Sequence, residues 1–196
     1  YYPSPDFINA MVSAYERETS QSAKNAIEQI LINSKMCALG KRPICQDTGI
    51  VNVFVEVGMN VQWDTEMSIE DMINEGVRGA YKEPDNRLRA SIVSDPLFSR
   101  NNTQDNTPAV IHTSLVKGDK LEITVAAKGG GSENKSKFTV LNPDDKLTDW
   151  VLRTIPTMGA GWCPPGMIGI GVGGTAEKAM LMAKASLMES IDINDI

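Results

Sequence analysis

Cys45-Gln46-Asp47-Thr48-Gly49-Ile50-Val51-Asn52-Val53-Phe54-Val55-Glu56-Val57 decides the fold of this chain. In its second half, valines at 51, 53, 55 and 57 alternate with Asn52, Phe54 and Glu56, the period-two pattern of a strand with one apolar face. Its first half sets a thiol, an amide, a carboxylate and a hydroxyl in consecutive positions just before that strand. A turn stabilised by the Asp and Thr side chains accounts for this. So does a polar shell beside a metal-bound ligand.

Helices flank the stretch. Phe7, Ile8, Met11, Val12 and Tyr15 have the spacing of an amphipathic helix over 6–18, which Ser4 or Asp6 could cap. A second helix is predicted over 22–37, with Ala26, Ile27, Ile30, Leu31 and Met36 as its stripe and Gly40 as its stop. Ser68 with Asp71 resembles a capping box opening a helix over 69–81. The 84–107 segment is polar and rich in turn residues, and long loops inside compact domains are commonly functional.

Further on, 110–115 and 121–127 read as strands joined by a turn at Lys117-Gly118-Asp119, with a third short strand over 136–141. Helices are predicted over 146–155, ended by Pro156, and over 175–188, with Thr175 as N-cap. The tail, Asp192 to Ile196, carries no structural signal. The fold class is therefore mixed α/β: short, mostly antiparallel or mixed strands with flanking helices. We read it as one catalytic-type domain over 1–196, with a helical lead-in over 1–40 and a motif-bearing part over 41–190.

Composition narrows the function. Apolar residues make up 41% and charged residues 22% of the 196, ordinary for a globular protein. No apolar run approaches the ~20 residues of a membrane span. A formal charge of −6 without a basic stripe argues against nucleic acid as partner. An anionic substrate would need a local cationic pocket, which directs attention to single arginines and lysines. The start, Tyr1-Tyr2-Pro3-Ser4-Pro5-Asp6, shows no signal peptide. Cys37, Cys45 and Cys163 are an odd number, better suited to thiolates in a cytoplasm than to a disulfide framework.

Four stretches carry chemistry. Cys163-Pro164-Pro165 holds a thiol before two prolines, which stiffen the backbone and suit a metal ligand; a buried cysteine in a turn is the plainer alternative. Gly171-Val172-Gly173-Gly174-Thr175 opens a helix, but it lacks the lysine of a phosphate loop, and close backbone packing explains it equally well. Lys128-Gly129-Gly130-Gly131-Ser132-Glu133-Asn134-Lys135 sets three glycines between donors that could face a carboxylate. Arg89 could clamp a carboxylate through a bidentate pair, although a lone arginine is more often a solvated surface residue. His112, the only histidine, and Cys37, on an apolar helix face, read as structural. A zinc site on Cys37, Cys45 and Cys163 matches no common zinc spacing.

Cys45-Gln46-Asp47-Thr48-Gly49, the Lys128–Lys135 stretch, Cys163-Pro164-Pro165 and Gly173-Gly174-Thr175-Ala176-Glu177 occur in this order, and together they resemble the iron–sulfur hydro-lyases. These are the class I fumarases and the alpha subunit of L(+)-tartrate dehydratase. The resemblance covers nearly the whole chain. It implies a reversible dehydration of a four-carbon hydroxy-dicarboxylate, malate to fumarate before tartrate, as in the tricarboxylic acid cycle. It also implies a 4Fe–4S cluster held by three cysteines, with Cys45 and Cys163 as two of them, and sensitivity to oxygen. Gln46, Asp47, Arg89, Gly129, Ser132, Asn134 and Lys135 match substrate-contacting positions.

In that family the third cysteine lies well downstream of the Cys-Pro-Pro element. The catalytic base comes from a C-terminal domain or a beta subunit. Both are therefore expected outside this chain, which reads as an alpha subunit or N-terminal part of a cytoplasmic oligomer, truncated and inactive alone. A cluster-free binding domain of the same fold is the rival reading.

Overall fold

A computed structural model describes residues 1–85, 88–163 and 165–191. Asn86, Arg87, Pro164 and the tail 192–196 lie outside the described residues. The chain divides into two compact units: one comprises Tyr1–Ala127 with Glu189–Ile196, the other Lys128–Met188. Among the described residues no helix is long and apolar enough to cross a membrane.

The first unit opens with α1 (Pro5–Arg17) and α2 (Gln21–Gly40), which pack on each other and bury Met11, Ile27 and Cys37. Pro5 stands in the first turn, where its missing N–H costs nothing. Ser20 caps α2 through the N–H of Ala23. The left-handed stop of α2 falls on Lys41 (φ 47°), one residue beyond the expected Gly40, and the Lys41 N–H closes on the Cys37 carbonyl.

Next come β1 (Ile50–Gly58), α3 (Ile69–Lys82), β2 (Val110–Val116) and β3 (Leu121–Lys128). The sheet is mixed, as expected, but its order is β2-β1-β3. The hairpin expected between β2 and β3 is not made. β1 lies between them and pairs in parallel with β2, from Asn52 opposite Val110 to Gly58 opposite Val116.

The reason is burial. Val51, Val53, Val55 and Val57 are the most apolar strand face, and a central strand can bury it while both edges complete their hydrogen bonds. These valines are 1–5% exposed and pack with Val77, Ile69 and Ile73 of α3. The 51 residues between β1 and β2 (59–109) supply the crossover that parallel strands require. The Lys117-Gly118-Asp119 turn forms, but it closes on the end of β1: Asn60 N–H donates to the Gly118 carbonyl at 2.8 Å.

Ser68 and Asp71 start α3 as the sequence suggested. Ser68 Oγ accepts from the Asp71 N–H (3.0 Å) and donates to Asp71 Oδ2 (2.7 Å), so the carboxylate engages the hydroxyl.

The second unit holds α4 (Gly130–Glu133), a single turn, α5 (Leu147–Thr154) with a short 3-10 extension through Met158, and α6 (Ala176–Ala185). The strand expected over 136–141 is absent; Phe138 and Val140 are exposed there, and strand propensity without a partner strand does not make a sheet. Met167 to Val172 instead runs against α6. A Cβ on Gly171 would stand 2.0 Å from the Ala179 carbonyl oxygen, so close packing, one of the two readings of this glycine run, is what the stretch does.

Val55 is 1% exposed at the centre of the sheet. Val55→Ala is expected to lower unfolding free energy by about 2–3 kcal/mol in urea titration. A change under about 0.5 kcal/mol, the range of surface substitutions, would show that β1 is not the core strand.

Candidate functional site

Cys45 sits on a loop secured at both ends. On the upstream side, Asn33 of α2 donates from Nδ2 to the Ile44 carbonyl (2.9 Å), and the buried Cys37 thiol lies 3.3 Å from the Pro43 carbonyl oxygen. Cys37 is core, as expected, and this contact occupies the thiol that the zinc alternative required. Downstream, Thr48 turns inward at 7% exposure instead of lining a ligand shell. Its hydroxyl donates to the Arg89 carbonyl and accepts from the Arg89 N–H at 3.1 Å. Tyr81 of α3 donates to the Thr48 carbonyl at 2.9 Å, and burial pushes the pKa of its hydroxyl up, so it stays a donor.

The other clamp is Asn106, fully buried and left-handed at φ 60°. Its Oδ1 accepts from the N–H groups of Ser91 (2.8 Å) and Ile92 (3.2 Å), and its Nδ2 donates to the Gly49 carbonyl (3.0 Å). Thr48 and Asn106 together tie the Cys45–Gly49 loop to the 88–92 segment. Three expected site residues thereby share one corner of the first unit. Gln46 is exposed and accepts from the Cys45 thiol at 3.3 Å; Asp47 is half-buried and accepts from the Gly49 N–H at 3.1 Å; Arg89 is exposed.

One polar face of α3 holds this corner in place. Asn74, Arg78 and Tyr81 follow at i, i+4 and i+7. Asn74 accepts from the Ala109 N–H (2.8 Å), and Arg78 donates from Nε to Asp105 (3.0 Å) and also to Glu75. Burial alone would raise the pKa of Asp105. The Thr107 hydroxyl and N–H, followed by Arg78, outweigh it and bring the value down from 3.8 to about 2.

The second unit brings together the remaining candidates. Lys128 donates from Nζ to Ser132 Oγ (2.8 Å) and pairs with Glu133 (3.3 Å), which also takes a hydrogen bond from Lys184 of α6 (2.7 Å). Burial would raise the Glu133 pKa, but the two ammonium groups more than offset it and hold it below the usual range. A Cβ on Gly131 would stand 2.5 Å from the Gly161 carbonyl oxygen, so only glycine lets this loop rest on the 160–163 turn. Lys135 crosses the same turn, its Nζ 3.6 Å from where a Gly161 Cβ would be. Gly129 and Lys135 are half-buried, while Ser132, Asn134 and Cys163 are exposed. Gly129, Ser132, Asn134, Lys135 and Cys163 thus lie on two loops in contact.

Cys163 has φ 60°, not the extended backbone that a following proline favours. Its N–H closes a turn on the Ala160 carbonyl at 3.0 Å. The stiffening expected from Pro164 lies outside the described residues. His112 stacks on Phe54 at 5.1 Å between ring centroids, in keeping with a structural role.

Exposed thiols are donors of the kind an iron–sulfur cluster takes, and this chain offers one in each unit. Two exposed thiols stand on secured loops, while among the described residues no three His, Cys, Asp or Glu side chains come together to hold a metal ion.

A model of the fumarate hydratase (Fumerase) family matches residues 1–195. The chain belongs to that family, whose named relatives are hydro-lyases. It is 37% identical over 197 residues to the "Putative L(+)-tartrate dehydratase subunit alpha" of Methanocaldococcus jannaschii, covering 97% of this chain and 68% of the relative. It is 33% identical over 172 residues to the anaerobic class I fumarate hydratase of Escherichia coli K12, covering 85% and 31%. It is 26% identical over 189 residues to the L(+)-tartrate dehydratase subunit alpha of Escherichia coli UTI89, covering 95% and 62%. The chain thus spans under a third of that fumarate hydratase and about two thirds of the alpha subunits.

Asp105 sets a pH dependence whose sign follows from its depressed pKa. Its stabilisation is complete above the ordinary 3.8 and is lost as pH falls towards 2. In urea titrations, the stability gap between wild type and Asp105→Asn should be constant above about pH 4 and shrink between pH 4 and 2. A gap that does not change with pH would contradict the depressed pKa of Asp105.

Proposed function

We propose that this chain is the cluster-bearing part of a hydro-lyase that reversibly dehydrates a four-carbon hydroxy-dicarboxylate, malate to fumarate in preference. The observation that carries the reading is the pair of side-chain clamps holding Arg89 beside Gln46 and Asp47, one residue from an exposed thiol. Membership of the fumarate hydratase family supports the reaction class. The relatives named subunit alpha support a second reading, the tartrate dehydratase with a beta subunit as partner.

In this proposal Arg89 and Lys135 bind the substrate carboxylates, and Gln46, Ser132, Asn134 and the Gly129 N–H complete the donor set. Asp47 accepts a hydrogen bond from the substrate hydroxyl and orients it. As a proton leaves the carbon next to a carboxylate, negative charge grows on that carboxylate. Positioned cations stabilise this charge more in the transition state than in the ground state. The base comes from outside these residues, a C-terminal domain or beta subunit. Cys45 and Cys163 would hold two corners of a 4Fe–4S cluster, its third cysteine also coming from elsewhere. That cluster would supply a Lewis-acidic iron to stabilise the departing hydroxide.

The test is anaerobic iron–sulfide loading of the complete enzyme, read by iron content and EPR, then turnover of malate and tartrate. Cys45→Ser and Cys163→Ser should each lower iron uptake and abolish turnover, while Cys37→Ser should keep its cluster signal. Full iron uptake by either of the first two variants would remove that ligand, and turnover of neither acid by the loaded wild type would end the substrate assignment.

A further inference from the structure

Among the groups not yet assigned a functional role, Asn106 combines burial with connectivity. It is 0% exposed, and its side chain spends three hydrogen bonds on backbone groups of two loops distant in sequence, Gly49 on one side and Ser91 and Ile92 on the other. Those loops carry Gln46 and Asp47, and Arg89. None of the three bonds stays within the Asn106 turn. With Thr48, which bonds the Arg89 backbone directly, the side chain sets the distance between a prospective carboxylate clamp and the groups facing the rest of the ligand. Its left-handed backbone points the amide inward, a conformation that asparagine tolerates better than most residues.

We propose that Asn106 is a positioning residue for dicarboxylate recognition, setting the register between Arg89 and the Gln46–Asp47 pair without touching the ligand. This rests on the hydro-lyase reading. A small shift at such a joint misplaces two contacts at once, so the loss falls on binding first, raising KM before kcat.

Two substitutions separate the parts of the clamp. Asn106→Gly keeps the left-handed backbone at no steric cost and removes all three bonds, together with the side-chain hydrogen bond to Tyr81. Asn106→Asp keeps acceptors for Ser91 and Ile92 and turns a carboxylate oxygen towards the Gly49 carbonyl. When protonated, that carboxyl can donate to Gly49 again.

In the complete, cluster-loaded enzyme, Asn106→Asp should raise KM for the dicarboxylate by about tenfold or more at neutral pH, with a smaller change in kcat and unchanged iron content. The KM ratio to wild type should fall back as pH drops and the new carboxyl protonates, whereas a loss of stability alone would lower the active fraction, and so the apparent kcat, without moving KM. Asn106→Gly should show the KM defect at every pH. Hydrogen exchange gives a readout independent of turnover: Asn106→Gly should deprotect the Ser91 and Ile92 amides and loosen 45–49 together, while Asn106→Asp should loosen 45–49 alone.

A wild-type KM in both variants, or a fall in kcat and thermal midpoint with KM unchanged, overturns the proposal. Unchanged exchange of both 45–49 and the Ser91 and Ile92 amides in Asn106→Gly overturns the clamp itself. If the wild type turns over no dicarboxylate while exchange shows the coupling, the hydro-lyase reading fails, and dicarboxylate positioning fails with it.

Discussion

The first unit depends on a buried polar joint more than on any one apolar contact. Thr48 and Asn106 have turned their side chains away from solvent to satisfy backbone groups of segments far apart in the chain. Removing one partner of a buried hydrogen bond costs about 1–3 kcal/mol, because the other is left unsatisfied. A joint of this kind is therefore specific: few other loop arrangements satisfy the same donors and acceptors. The valines of β1 and the apolar face of α3 provide the platform, and Asn74, Arg78 and Tyr81 on the adjoining face of that helix hold the joint to it.

The second unit solves a similar problem with glycines and charges. Gly131 permits a backbone approach no other residue allows, and the Lys128–Glu133–Lys184 network fixes the loop that follows β3 to α6. A carboxylate shared between two ammonium groups leaves local positive charge in a chain of net −6. That is the sign an anionic ligand needs, against the field of the molecule as a whole.

Features that depend on neighbouring residues were legible in the sequence. The valine alternation of β1, the amphipathic α1, the Ser68 start of α3 and the glycine packing along α6 are all local patterns. The strand order was not, because the Lys117-Gly118-Asp119 turn is compatible with a hairpin and equally with closure on a third strand. Only competition for burial, which β1 wins, decides between them. In the candidate site, Gln46, Asp47 and Arg89 could be named from motifs, but Asn106, Tyr81 and Asn33 could not, since their partners lie 11 to 57 residues away. The available signal was weak: a polar i, i+4, i+7 face on a helix read only from its Ser68–Asp71 start, and an Asp105-Asn106-Thr107-Pro108 run at the end of a loop read as polar, turn-rich and long.

The proposed function needs both exposed thiols, Cys45 on the corner that Thr48 and Asn106 secure and Cys163 in the other compact unit. Its most direct test is iron anomalous scattering from crystals of the anaerobically prepared complete enzyme. The account predicts a single cluster peak bonded to the sulfurs of both Cys45 and Cys163. Iron bonded to neither thiol, or two separate peaks each served by one of them, would contradict it.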